Sequence, residues 1–172
     1  TYSGASSITL GAANVILNAT GSATGTVSVS GTGTTSRTVT ISSITGDGTL
    51  GISLASGTAT DTAGNSAPAA GPSTTFTVDN TPPTAAISAP SASLTKSGPV
   101  TYVVTYNGAD LVTLSSSNVT LNATGTATGS ISVSGTGTTS RTVTISAIAG
   151  NGTLGISLAS GTAMDAAGNT AA

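Results

Sequence analysis

Thr38-Val39-Thr40-Ile41-Ser42, then Gly46-Asp47-Gly48, then Thr49-Leu50-Gly51-Ile52-Ser53-Leu54 follow one another within residues 38–54, and their pattern decides the fold. Apolar side chains stand at every second position on both sides of a turn former. That is the period of a strand with one face in a core and the other in water. Gly and Asp reach the backbone angles of a tight connection at little cost, so the stretch reads as two strands separated by a short turn. The same alternation occupies Val27-Ser28-Val29-Ser30 upstream and Phe76-Thr77-Val78 downstream. No stretch carries the spacing of an amphipathic helix.

The whole pattern then occurs again. Residues 1–68 align with residues 105–172 without a gap, 50 of the 68 positions being identical, at a period of 104 residues. The alternation reappears at Ile131/Val133, Val143/Ile145 and Leu154/Ile156/Leu158, and Val100-Thr101-Tyr102-Val103-Val104-Thr105-Tyr106 adds a strand of more continuous apolar character. A period this long is the length of a domain rather than of a solenoid turn, which implies a tandem array with one core per repeat. Residues 69–104 occur once, so the sequence is expected to be a window on a longer array, or a filament subunit completed by its neighbours. The expected divisions are residues 1–79 as the C-terminal part of one repeat without its first strands, 80–83 as a linker, and 84–172 as the next repeat without its last strand.

Counting from Pro82, strands are expected near residues 84–88, 99–106, 118–123, 129–135, 140–147 and 153–159, with a seventh equivalent to residues 73–79. Turn formers separate them: Gly31-Thr32-Gly33, Asn107-Gly108, Gly135-Thr136-Gly137 and Asn151-Gly152. Seven short strands in about a hundred residues predict an all-β fold of immunoglobulin-like β-sandwich repeats in tandem, here without the Cys and Trp of antibody domains. Near-identical neighbouring repeats also invite strand pairing with the wrong copy during folding.

Two motifs make a resemblance specific. Phe76-Thr77-Val78-Asp79-Asn80-Thr81-Pro82-Pro83-Thr84 resembles the junction between tandem bacterial Ig-like (Big-type) repeat domains of large surface adhesins and other extracellular repeat proteins. Asp61-Thr62-Ala63-Gly64-Asn65 and Asp165-Ala166-Ala167-Gly168-Asn169 are similar to the D-x-A-G-N element that precedes the last strand of such domains. The resemblance implies an extracellular, bacterial cell-surface location and a mostly structural role. It implies nothing about the ligand of any adhesive tip.

Composition narrows the function. The chain has three basic residues (Arg37, Lys96, Arg141), five acidic ones (Asp47, Asp61, Asp79, Asp110, Asp165), no Glu, no His and no Cys. A net charge of −2 spread this thinly supplies neither a basic stripe for a nucleic-acid backbone nor a polybasic patch for anionic lipid, and no apolar run reaches membrane-spanning length. Partners are therefore expected to be neighbouring identical or near-identical repeats, in the same chain or in adjacent subunits, with no nucleic acid and no membrane insertion. Without His, Cys or Glu the chain lacks the usual general base, the thiolate nucleophile and most zinc ligands, so an enzyme is not expected. Cofactors are not expected either, calcium excepted.

The candidate calcium ligands are Asp61, Asn65, Asp79, Asn80, Asp165 and Asn169. Hard cations take carboxylate, amide and carbonyl oxygens, and the related arrays often hold calcium near domain junctions. The competing reading is that each Asp closes an Asx-turn before Gly64 or Gly168. Asp110 aligns with Ser6 and Asp47 with Asn151, which reads both as turn residues. Arg37 and Arg141 fall at a hairpin edge, where a lone cation discourages pairing with a foreign strand. The linker residues Asp79, Asn80, Thr81, Pro82 and Pro83 read as a stiff connector, because two prolines fix φ and bias the preceding residue toward extension. The function these features predict is that of non-catalytic extender repeats in a stalk. The alternative is an extracellular filament or sheath assembled by strand exchange.

Overall fold

The structure is a computed structural model describing all 172 residues. It is all-β and divides into two compact units, Thr1–Asn80 and Thr81–Ala172. The N-terminal unit contains β1 (Ser7–Ile8), β2 (Val15–Ala19), β3 (Thr24–Ser30), β4 (Thr38–Thr45), β5 (Gly48–Leu54), β6 (Ala59–Thr60) and β7 (Phe76–Val78). Its strands form the antiparallel sheets β2-β5-β7, β3-β4 and β1-β6. The C-terminal unit contains β8 (Thr84–Ile87), β9 (Val100–Asn107), β10 (Leu111–Val112), β11 (Val119–Ala123), β12 (Thr128–Ser134), β13 (Ser140–Ala149), β14 (Leu154–Leu158) and β15 (Ala163–Met164). Here the sheets are β12-β13-β9-β8, β11-β14 and β10-β15.

The duplication in sequence is a duplication in structure. β2 and β5 pair with Leu17 opposite Ile52, and β11 and β14 repeat the register with Leu121 opposite Ile156. β3 and β4 align Val29 with Val39, as β12 and β13 align Val133 with Val143. The units differ in two places. β8 and β9 have no strand counterpart in the N-terminal unit, and β7 has none in the C-terminal unit. As a result β13 is flanked by β12 and β9 while β4 pairs with β3 alone, and β5 is flanked by β2 and β7 while β14 pairs with β11 alone.

The predicted strands are present, with boundaries moved by one to three residues. β13 runs to Ala149, beyond the expected end, because its pairing with β12 resumes after a bulge. The pairing steps from Thr128↔Ala149 to Ser130↔Ser146, so two residues of β13 oppose the single Gly129. Ala147 absorbs the extra residue at φ 49°, and Ser43 does the same in β4. A β-carbon at Gly129 would lie 2.7 Å from Ile145 Cγ2, which explains the glycine opposite the bulge. The two-residue strands β1, β6, β10 and β15 were not among the predicted strands, being too short to show alternation.

Burial follows the sheets. In the C-terminal unit Val100, Tyr102, Val104 and Tyr106 alternate inward along β9 and cover Val143 and Ile145, which are 0% and 1% exposed. The corresponding Val39 and Ile41, with no such cover, are only half-buried. The smaller N-terminal core gathers Ala23, Leu50 and Val78, with Leu17 and Ile41 against it. Leu50 is fully enclosed there, whereas its counterpart Leu154 is only half-buried. Buried threonines are satisfied in both units: Tyr106 donates its hydroxyl to Thr162 Oγ1 at 3.0 Å, and Tyr2 donates to Thr58 Oγ1 at 2.8 Å.

Candidate functional site

Each D-x-A-G-N pentad is a closed loop following a two-residue strand. Asp61 Oδ1 accepts from the backbone NH groups of Ala63 and Asn65, both at 2.9 Å, and Oδ2 accepts from Asn65 Nδ2 at 2.9 Å. The backbone closes the same ring, Asp61 N donating to Asn65 O and Gly64 N to Asp61 O. Gly64 supplies the required positive φ of 88°. Asp165 repeats the arrangement: Oδ1 accepts from Asn169 N at 2.8 Å, Oδ2 from Asn169 Nδ2 at 2.9 Å, and Gly168 has φ 93°. The side-chain amide of Asn65, with the backbone NH of the same residue, holds the Asp61 carboxyl below its ordinary value against a smaller opposing effect of burial. The Asn169 amide lowers Asp165 likewise, again opposed by burial. Of the two readings of the pentad, this geometry is that of the Asx-turn.

Asp110, expected only as a turn residue, makes a long-range bond. Its Oδ2 accepts from Ala166 N at 2.9 Å and ties the start of β10 to the second pentad. Ser6, at the corresponding place, donates its hydroxyl to Thr60 O at 3.1 Å. Either side chain fastens the loop, by opposite chemistry, which an alignment of the two copies cannot reveal.

The junction residues lie elsewhere. Asn80 donates from its backbone to Asp47 Oδ1 at 2.7 Å and from Nδ2 to Gly46 O at 2.6 Å, so the turn between β4 and β5 holds the end of β7. Asp47 thus has a partner beyond its turn. Pro83 is buried within the C-terminal unit, while Asp79, Asn80, Thr81 and Pro82 are exposed. The candidate calcium ligands accordingly separate into the pairs Asp61–Asn65 and Asp165–Asn169, each internally bonded, and the exposed Asp79 with Asn80 at the end of β7, Asn80 bonded to the Gly46–Asp47 turn. No three His, Cys, Asp or Glu side chains stand together.

Both arginines gather carbonyls. Arg37 Nη1 donates to Gly33 O at 2.9 Å and Ser36 O at 2.8 Å, and Nη2 reaches Ile8 O at 3.2 Å. Arg141 does the same to Gly137 O at 2.8 Å, Ser140 O at 2.8 Å and Val112 O at 2.9 Å. The fork of the guanidinium fastens a glycine-rich loop to the neighbouring two-residue strand. The edge-protecting role expected for them is corrected for Arg141, which lies on a strand paired on both sides.

A groove lies at the start of β14. It has a volume of about 360 Å³ and is lined by Gly152, Thr153 and Leu154, by Ala127 and Ile145 beneath them, and by the segment of residues 90–96 opposite. Leu94, on that segment, is 91% exposed.

No helix is long and apolar enough to cross a membrane. In comparison with known proteins, no family model, curated protein or solved structure matches this chain.

Proposed function

We propose that the chain consists of non-catalytic structural extender repeats, Ig-like β-sandwiches in tandem, from the stalk of a long bacterial cell-surface or extracellular protein. The observation that carries this reading is the exact-period duplication: two units, 50 of 68 aligned positions identical, rebuild the same registers, the same arginine clamp and the same aspartate loop. The retained polar side chains are spent on hydrogen bonds inside the fold, as suits a part whose task is to be a shape. The motif resemblance at residues 76–84 supports the surface location. In this reading function resides in length and stiffness, with Asp79-Asn80-Thr81-Pro82-Pro83 as the connector.

The test is the mass of the intact native polypeptide under denaturing conditions. A mass many times the 16.0 kDa of this sequence, in whole increments of the repeat, is the expected result. A mass near 16.0 kDa overturns the stalk reading in favour of separate subunits assembled into a filament.

A further inference from the structure

We infer that the groove at the start of β14 is a strand acceptor, and that its occupant is a further copy of the segment Phe76–Asn80, presented by a second copy of this repeat sequence. The N-terminal unit displays the complex. There β7 lies antiparallel on β5 with Gly48 opposite Val78, Thr49 opposite Thr77 and Leu50 opposite Phe76. The counterparts of those three β5 positions are Gly152, Thr153 and Leu154, the residues that line the groove.

Backbone polarity agrees. Thr49 turns its NH toward Thr20 Oγ1 and its carbonyl toward Thr20 N, on the β2 side, so the alternate residues Gly48 and Leu50 face β7. Thr153 makes the same two bonds to Thr124, which leaves Gly152 and Leu154 facing the groove, where the Leu154 carbonyl accepts a long 3.4 Å bond from the Tyr102 hydroxyl that an added strand would replace. Side-chain chemistry agrees as well. Val78 is 7% exposed and packs with Ala23, Leu50 and Ile41. Their counterparts Ala127, Leu154 and Ile145 form the floor of the groove. The anchor for the end of the strand is also present, since Asn80 uses Asp47 Oδ1 and Gly46 O. Asn151 and Gly150 stand at those places and offer the same two acceptors, an amide oxygen in place of a carboxylate. The Asp-to-Asn exchange that looks neutral in a turn thus preserves the acceptor.

The binding mode is β-augmentation, with main-chain bonds for affinity and the valine seat for selectivity. This inference uses the structural equivalence of the two units and deepens the repeat reading by naming the partner segment. The probe is a synthetic peptide of residues 72–80, titrated into the ¹⁵N-labelled 172-residue protein. The expected result is saturable shifts at Gly152, Thr153 and Leu154 with slowed amide exchange of Leu154, while Gly48, Thr49 and Leu50, already covered by β7, do not respond. A peptide carrying Val78→Asp should bind at least about tenfold more weakly, since it puts a carboxylate in an apolar seat. An Asn151→Ala protein, changed at an exposed side chain, should weaken the peptide without altering the fold. Absence of saturable shifts at those residues, or equal binding of both peptides, overturns the inference. That failure would leave the stalk reading standing, because the mass of the native chain tests the latter independently.

Discussion

At the scale of single residues, six of the chain's eight charged side chains bond its own backbone. Asp61 and Asp165 close loops, Asp110 ties one of them down, Asp47 receives Asn80, and both arginines collect carbonyls. A pH dependence follows from the two pentads. Their carboxyls titrate below the ordinary aspartate value of 3.8 in the folded chain. A lowered folded pKa means that the unfolded chain takes up protons first as the pH falls, so the contribution is fully present at neutral pH and is lost as the pH drops through the unfolded and then the folded pKa. Stability should hold from pH 7 to about 5 and decline below about 4, where ordinary carboxyls titrate. The Asp61→Asn/Asp165→Asn protein should be less stable at pH 7 and should show a shallower acid decline, measured by urea denaturation across the pH range. Of these roles the Asx-turn was legible in the sequence, because Asp before Gly at fixed spacing names its own hydrogen bond. The arginine clamp and the Asp47–Asn80 bond were not. Each joins residues some thirty positions apart, and local spacing carries no information about such a pair.

At the scale of elements, alternation located β3, β4, β5, β7, β12, β13 and β14, and it failed where two residues cannot alternate, as in β1, β6, β10 and β15. It also failed at the bulge, where Ser43 and Ala147 take a positive φ that nothing about serine or alanine announces. The flanking sheet decides how much each shared residue contributes. Val143 lies beside β9 in the same sheet and is 0% exposed, whereas Val39, the same residue in the same motif, is half-buried. Val143→Ala should therefore cost about 2 kcal/mol, from lost transfer energy and a residual cavity, and Val39→Ala less than about 1 kcal/mol. Hydrogen exchange of the most protected amides in each unit measures the two separately. Equal losses would mean that burial by β9 does not govern the stability of the C-terminal unit.

At the scale of the whole molecule, duplication is the dominant fact, and it was legible in full: a gapless period of 104 residues needs no structure to be seen. The structure adds that each unit carries a strand the other lacks, and that the β14 edge bears the seat for one of them. Near-identical repeats with complementary seats and segments favour correct neighbour pairing when joined in order, and they equally permit pairing out of order. The stalk reading makes length proportional to repeat number. Small-angle X-ray scattering on proteins of two, four and eight repeats measures this most directly. The expected result is a maximum dimension that rises by a constant increment for each added repeat. A dimension that grows only as the cube root of the mass, as repeats collapsing onto one another would give, contradicts it.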